Sequence, residues 1–155
     1  MPMTTKYFFF SVLFLCSSLL QAQTEIQNLR VIAPIPGQDI SAGYLVLKND
    51  SSASIELISV ETEDAERVQI HTHQMNNGMM RMVQLDSLSV EPGEQAEFER
   101  GGLHLMVFSP DVQALESGSL DMRFNFADGT SIQSEARVEQ LMPDSGGMNH
   151  QSHQH

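Results

Sequence analysis

Short runs of alternating apolar and polar residues fill the chain from Glu25 to about Gln140, separated by Gly, Pro, Asn and Asp. Such runs are typical of short β-strands. The predicted strands are 25–33, 43–49, 55–61, 67–75, 79–85, 95–99, 103–108, 119–127 and 131–139. No stretch keeps a helical period beyond two turns. Strands at this spacing without helices between them predict an all-β domain, an antiparallel β-sandwich or barrel.

The chain begins with a different pattern, in which Lys6 precedes a mostly apolar run from Tyr7 to Leu20. This run of 14 residues is shorter than the ~20 apolar residues that a membrane-spanning helix needs,. We therefore predict a cleaved secretory signal peptide, residues 1–22, and an exported protein that is not an integral membrane protein. Lipid attachment at Cys16 is disfavoured because Leu15, which is not a small residue, precedes it.

Charge limits the partners of the exported chain. Removal of residues 1–22 takes away one lysine and no acid, which leaves seven Lys and Arg against twenty Asp and Glu, a net charge of −13 with His neutral. Nucleic acid and anionic membranes are poor partners for such a chain, and a cation is a better one. Solubility alone would also explain the acid excess.

Cysteine usage limits the chemistry. The only cysteine lies in the signal peptide, so the exported domain, residues 23–141, must fold without a disulfide,. Thiol redox chemistry, thiolate zinc sites and blue-copper electron transfer are excluded for the same reason.

The last residues, 142–155, have no apolar period and are rich in Gly, Ser, Gln and His. We predict a flexible tail. Its candidate metal ligands are Met148, His150, His153 and His155,. An expression scar is the alternative explanation, but the histidines do not form a plain run.

One predicted hairpin, Ile70 to Leu85, concentrates imidazoles and thioethers. Because residues alternate along a strand, His71 and His73 lie on the face opposite Ile70. The following "NNG" predicts a tight turn. If Asn76 and Asn77 form the loop, His71 lies opposite Met82 and His73 opposite Met80; if Asn77 and Gly78 form it, His73 faces Met82 and His71 is its diagonal neighbour. Either register brings imidazole and thioether within reach of one ion.

A second His–Met pair lies in "GGLHLMVF", where His104 and Met106 share one face of a predicted strand,. The preceding Gly101 and Gly102 predict a close approach to a neighbouring strand. Two strand elements thus offer histidine and methionine on the face opposite the aliphatic one.

Histidine and methionine together favour Cu(I), because thioether sulfur is a soft neutral ligand and imidazole suits copper. Zinc, calcium and magnesium sites would draw on thiolate or carboxylate ligands that these strands do not concentrate. His71 and His73 alone would fit a zinc or Cu(II) clip equally well. A single methionine on a strand is usually core filler.

The residues His71, Met82, His104 and Met106 follow the spacing H-x10-M-x21-H-x-M. Flanking segments are "AGYLVLKN", "NGMMRM", "VEPG" and "GGLHLM". Together they resemble the PCuAC family of copper chaperones, over about residues 25–140.

The resemblance implies a cupredoxin-like Greek-key β-sandwich in the periplasm that binds one Cu(I) through His71, Met82, His104 and Met106. It also implies delivery to a copper-accepting protein, such as another copper chaperone or a cytochrome oxidase subunit with its binuclear copper site. His73 stands where family members often carry Met, so His73, Met80 and Met75 are auxiliary candidates. The tail resembles extensions that would suit a second copper, as Cu(II).

Two other functions differ from delivery. A periplasmic copper storage or resistance protein would use the same ligands without a specific acceptor. An enzyme has little support, because no nucleophile motif frames Ser109 or Asp111 near His104,.

Overall fold

The computed structural model describes residues 24–140, which form ten β-strands and one short helix. In chain order these are β1 Thr24–Ile32, β2 Ile40–Asn49, β3 Ile55–Glu61, β4 Ala65–Asn76, β5 Met79–Leu85, β6 Leu88–Val90, β7 Gln95–Phe98, β8 His104–Pro110, α1 Val112–Ser117, β9 Ser119–Phe126 and β10 Ser131–Glu139. All nine predicted strands are present within a few residues of their expected bounds. The all-β prediction is therefore confirmed for this part of the chain.

The strands are hydrogen-bonded in the order β5-β4-β8-β2-β1-β10-β9-β3-β6, and β7 pairs with β2 beside β8. Every pairing between these strands is antiparallel except that of β1 with β10, where Arg30 to Ile32 run parallel to Arg137 to Glu139. The predicted antiparallel pairing is therefore present at every strand pair but this one. Its strands come from opposite ends of the domain, so no hairpin links them and either direction is open to them.

One apolar core joins strands that are distant in the sheet order. Leu57 of β3 and Phe124 of β9 belong to the same buried cluster as Leu45 of β2 and Leu105 of β8. Because β8 and β3 lie at opposite ends of the sheet, the sheet must fold over itself to bring these side chains together. This two-layer packing is that of a β-sandwich.

Sequence analysis missed β6 and α1. The helix begins at an N-cap, Asp111, whose carboxylate accepts hydrogen bonds from the backbone N–H groups of Gln113 and Ala114, at 2.7 and 3.3 Å,. It ends at Gly118, which has a left-handed backbone,. A helix of six residues and a strand of three are too short to show a hydrophobic period,.

The close approach predicted at Gly101 and Gly102 was wrong. A Cβ atom at Gly101 would meet nothing within 4 Å, and one at Gly102 would meet only Glu99, at 3.4 Å or more. The tight contact is at Gly43 in β2, where a Cβ would lie 3.0 Å from the Cβ of Leu105. Because Gly43 has no side chain, β2 can pair with β8 at this position without a clash with the side chain of Leu105.

Two predicted segments, the signal peptide of residues 1–22 and the tail of residues 142–155, lie outside the described residues. Among residues 24–140, no helix has the length and apolar character needed to cross a bilayer.

Candidate metal centre

Three adjacent strands, β5, β4 and β8, carry the predicted ligands on one face of the sheet. In β4 and β8, His71 lies directly opposite His104. In β4 and β5, His73 lies directly opposite Met82. Since side chains two residues apart share a face, Met106 lies on the same side as His104 and diagonal to His71,. The fold thus places His71 at the middle of the four residues singled out by their spacing.

The turn between β4 and β5 sets this register. Asn77 and Gly78 form its two loop residues and have positive φ angles of 50° and 78°. Two central residues with positive φ match the twist of a two-residue hairpin, and Asn and Gly tolerate that backbone best. Of the two registers left open by the sequence, the one with an Asn77–Gly78 loop is therefore the one formed.

A single backbone carbonyl orients two of the imidazoles. The oxygen of Gly102 lies 2.9 Å from Nδ1 of His104 and 3.3 Å from Nδ1 of His73. A carbonyl oxygen only accepts, so each Nδ1 carries the proton and each Nε2 carries the lone pair. Metal-binding histidines usually make this kind of hydrogen bond, which fixes the tautomer and the ring orientation.

The ring of His104 is the centre of the imidazole group. Its centroid lies 5.3 Å from that of His73 and 6.0 Å from that of His71. His104 is buried, with 7% of its surface exposed, while His71 and His73 are half-buried. His73 therefore lies as close to His104 as His71 does, although its sequence position made it only an auxiliary candidate.

His71 has an unusual environment. Its Nε2 donates to the side-chain oxygen of Gln69 at 3.0 Å, which leaves the lone pair on Nδ1,. That Nδ1 atom is buried and has no hydrogen-bond partner among the described residues. Burial, and secondarily the charge of His104, lowers the pKa of His71 below its usual 6.5,. A buried neutral nitrogen with a free lone pair is suited to a metal ion.

Sequence analysis assigned no supporting role to Gln69 or to the Gly102 carbonyl. Alternation does place Gln69 on the same face as His71 and His73, so its contact with His71 had a signal in the sequence. The carbonyl had no such signal, because its position depends on the turn from Glu99 to Gly102, where Gly101 has a φ of 82°.

The methionines of this face lie around the histidines at different depths. Met106 is half-buried and lies opposite Gln69 on β4 and Ala42 on β2. Met82 is half exposed at the hairpin. The auxiliary candidates Met75 and Met80 form the next opposed pair toward the turn. The tail candidates Met148, His150, His153 and His155 lie outside the described residues.

Within residues 24–140, no three His, Cys, Asp or Glu side chains converge closely enough to hold a metal ion by themselves. A metal ion on this face would therefore need thioether ligands beside the imidazoles. That mixture is the donor set of a soft cation, and Cu(I) is the soft cation that both ligand types suit.

Comparisons with known proteins agree with this architecture. The copper-bound PCuAC domain from PmoF2 shares 20% identity and a TM-score of 0.62, over 74% of this chain and 91% of that domain. The Cu(I) form of DR1885 from Deinococcus radiodurans shares 23% identity and a TM-score of 0.59, over 79% and 83% of the two chains. At these identities the likeness establishes the fold, a cupredoxin-like one.

Sequence comparisons extend along most of the described chain. Protein RP573 of Rickettsia prowazekii is 26% identical over 91 residues, which make up 58% of this chain and half of that protein's length. The LpqE-like family model, which represents the PCuAC family, matches residues 24–138. Since that match covers nearly every described residue, the chain belongs to the PCuAC family.

Proposed function

We propose that this protein is a periplasmic copper chaperone that binds one Cu(I) ion through His71, Met82, His104 and Met106 and passes it to a copper-accepting protein. The observation that carries the proposal is the buried Nδ1 atom of His71, which lacks a hydrogen-bond partner in the described chain. His71 itself lies opposite His104 and diagonal to Met82 and Met106. Burying such an atom costs free energy unless a partner compensates it, and a copper ion would do so.

Two structural neighbours support the choice of metal, since one is described as copper-bound and the other as carrying Cu(I). The ligands of this chain fit the same ion. Two imidazoles and two thioethers are neutral, so the bound ion would keep its single positive charge. The acidic surface of the protein would favour its approach,.

Delivery requires a site that holds copper but also releases it. Thioethers are weak ligands that an acceptor can replace one at a time, whereas thiolates would hold copper more tightly. Met82 is half exposed, so an incoming ligand can reach it, while buried His104 keeps its hold on the ion. Transfer would therefore begin at the methionine side of the site.

His73 is an auxiliary ligand in this proposal. It lies opposite Met82 and its Nε2 carries a lone pair, so it can replace a departing thioether. A third imidazole would also make the site more tolerant of Cu(II), because imidazole suits both oxidation states.

The acceptor follows from the family resemblance alone: the binuclear copper site of cytochrome c oxidase, directly or through another chaperone. Export by the signal peptide of residues 1–22 would place the protein in the periplasm with that acceptor. A storage protein would use the same ligands, and transfer of copper to a purified acceptor separates the two functions.

Anaerobic Cu(I) titration against a chromophoric chelator tests the proposal. The samples are the chain from Gln23, the same chain ending at Leu141, and the double variant His104→Ala, Met106→Ala. We expect one tightly bound Cu(I) that survives removal of the tail and is lost in the double variant. If Cu(I) binding is lost when the tail is removed, the protein is instead a copper scavenger that binds the ion through its His-rich C-terminal segment.

Two single substitutions distinguish the loss of a copper ligand from the loss of the fold. Met106→Ala should keep the circular dichroism of the parent and weaken Cu(I) binding, whereas Met79→Ala, on the opposite face of the hairpin, should leave binding unchanged. If Met106→Ala unfolds the domain, Met106 is core filler and the proposed ligand set is wrong.

A further inference from the structure

Met75 and Met80, here called the tip pair, lie directly opposite each other next to the hairpin turn. They are 68% and 61% exposed, so neither fills the core, which is the usual role of a methionine on a strand,. Directly opposite side chains have Cβ atoms about 5 Å apart, close enough for both sulfur atoms to contact one ion. Two exposed thioethers at this distance therefore need another explanation.

The tip pair continues the ligand face of the metal centre outward. Along β4, Met75, His73 and His71 are successive residues of one face, and successive positions on a face are about 7 Å apart. Each has a methionine opposite or diagonal to it: Met80 lies opposite Met75, and Met82 lies opposite His73 and diagonal to His71. Exposure falls along this series from the tip pair to buried His104. The candidate ligands of this face therefore form a row in which the exposed fraction of the side chain decreases from the tip pair to His104.

Charge on the hairpin matches a soft cation rather than a hard one. From Ile70 to Leu85 the chain has no Asp or Glu, although the protein as a whole carries a net charge of −12. The only charged residue of this segment is Arg81, which pairs with Gln74 and so lies on the opposite face,. Calcium, magnesium or zinc would find no carboxylate here, whereas neutral thioethers bind Cu(I).

We infer that the tip pair is a second, transient Cu(I) site through which copper enters and leaves the metal centre. The inference rests on the proposed function and adds the route of transfer. In the outward direction, a bond from copper to Met80 or Met75 forms as the bond to Met82 breaks, with His73 able to bind copper on either side. Copper stays Cu(I) throughout, because each step exchanges one neutral ligand for another.

The test compares the rate of copper release with the equilibrium affinity. Met75→Leu, Met80→Leu removes both sulfur atoms while conserving volume. The matched control is Met79→Leu, which removes an exposed sulfur from the same turn on the other face. Each full-length, Cu(I)-loaded protein is mixed by stopped flow with bicinchoninate, and its affinity for Cu(I) is measured separately by competition.

We expect the double variant to release copper about tenfold more slowly, with the affinity of the metal centre unchanged and Met79→Leu like the parent protein. An unchanged release rate would overturn the inference and leave the proposed function intact. A weaker affinity for Cu(I) together with release as fast as or faster than that of the parent protein would overturn it too, because the tip pair would then belong to the metal centre. A parent protein that binds no Cu(I) would instead overturn the proposed function itself.

Discussion

At the scale of single residues, His71 connects burial with ligand chemistry. Its Nε2 donates a hydrogen bond to Gln69, and its Nδ1 has no hydrogen-bond partner within residues 24–140. The free lone pair of the ring is therefore on a buried nitrogen atom. The lowered pKa has the same origin, since burial disfavours the charged imidazolium,. Protons therefore compete less with a metal ion at His71 than at an exposed histidine.

This environment predicts the titration of the copper-free protein. The imidazole of His71 should titrate below pH 6.5, and because the unfolded chain binds that proton more readily, the folded state should lose stability as the pH falls below 6.5,. The imidazole proton shifts in an NMR titration give the value, with His71→Gln identifying the resonance. A midpoint at or above 6.5 would show that His71 is not buried as described.

Residue spacing singled out four candidate ligands but not how the fold arranges them. His73 was only an auxiliary candidate because it stands where family members often carry Met. Its pairing with Met82 depends on the Asn77–Gly78 loop, which the sequence left as one of two possible loops. The role of the Gly102 carbonyl was equally hidden, since a backbone oxygen has no signature in the sequence. Side-chain type is visible in a sequence, whereas hydrogen bonds to the backbone depend on the folded path of the chain.

At the scale of elements, alternation identified every described strand except β6, because the others are long enough to show their period. The parallel pairing of β1 with β10 was beyond such analysis, since no local signal specifies a partner about a hundred residues away along the chain,. Turns are the other determinant at this scale, and the turn before β8 holds the carbonyl that orients His73 and His104.

Gly101→Ala should therefore damage both the turn and the site. A left-handed backbone costs a non-glycine residue about 1 kcal/mol, which urea denaturation would measure. Displacement of the Gly102 carbonyl should also weaken Cu(I) binding in the chelator competition. Gly129→Ala is the matched control: its φ of 85° and open surroundings resemble those of Gly101, but it lies between β9 and β10, away from the site. Equal copper affinities in the two variants would contradict the role of the turn.

At the scale of the whole molecule, the described residues include methionines of two contrasting kinds, buried in the core and exposed on the hairpin. Met122 in β9 is 1% exposed and belongs to the single core, whereas those of the hairpin lie at the surface. The sandwich depends on that core, because the chain's one cysteine is in the segment before residue 24 and no pair exists to form a disulfide within the chain.

Substitution of one methionine from each group should separate stability from function. Met122→Ala should lower the free energy of unfolding by about 2–5 kcal/mol, because it leaves a cavity in the core. Met80→Ala should change it by less than about 0.5 kcal/mol, since it removes only exposed atoms. Urea denaturation of the copper-free proteins measures both. A large loss of stability in Met80→Ala would mean that the hairpin methionines are structural.

The parallel pairing of β1 with β10 also determines where the chain leaves the sheet. Glu139 lies beside Ile32, Ile32 beside Ala42, and Ala42 beside Met106. Three strand spacings, about 14 Å, thus separate the end of β10 from a proposed copper ligand. The parallel pairing therefore brings the end of the last described strand close to the face that carries the candidate ligands.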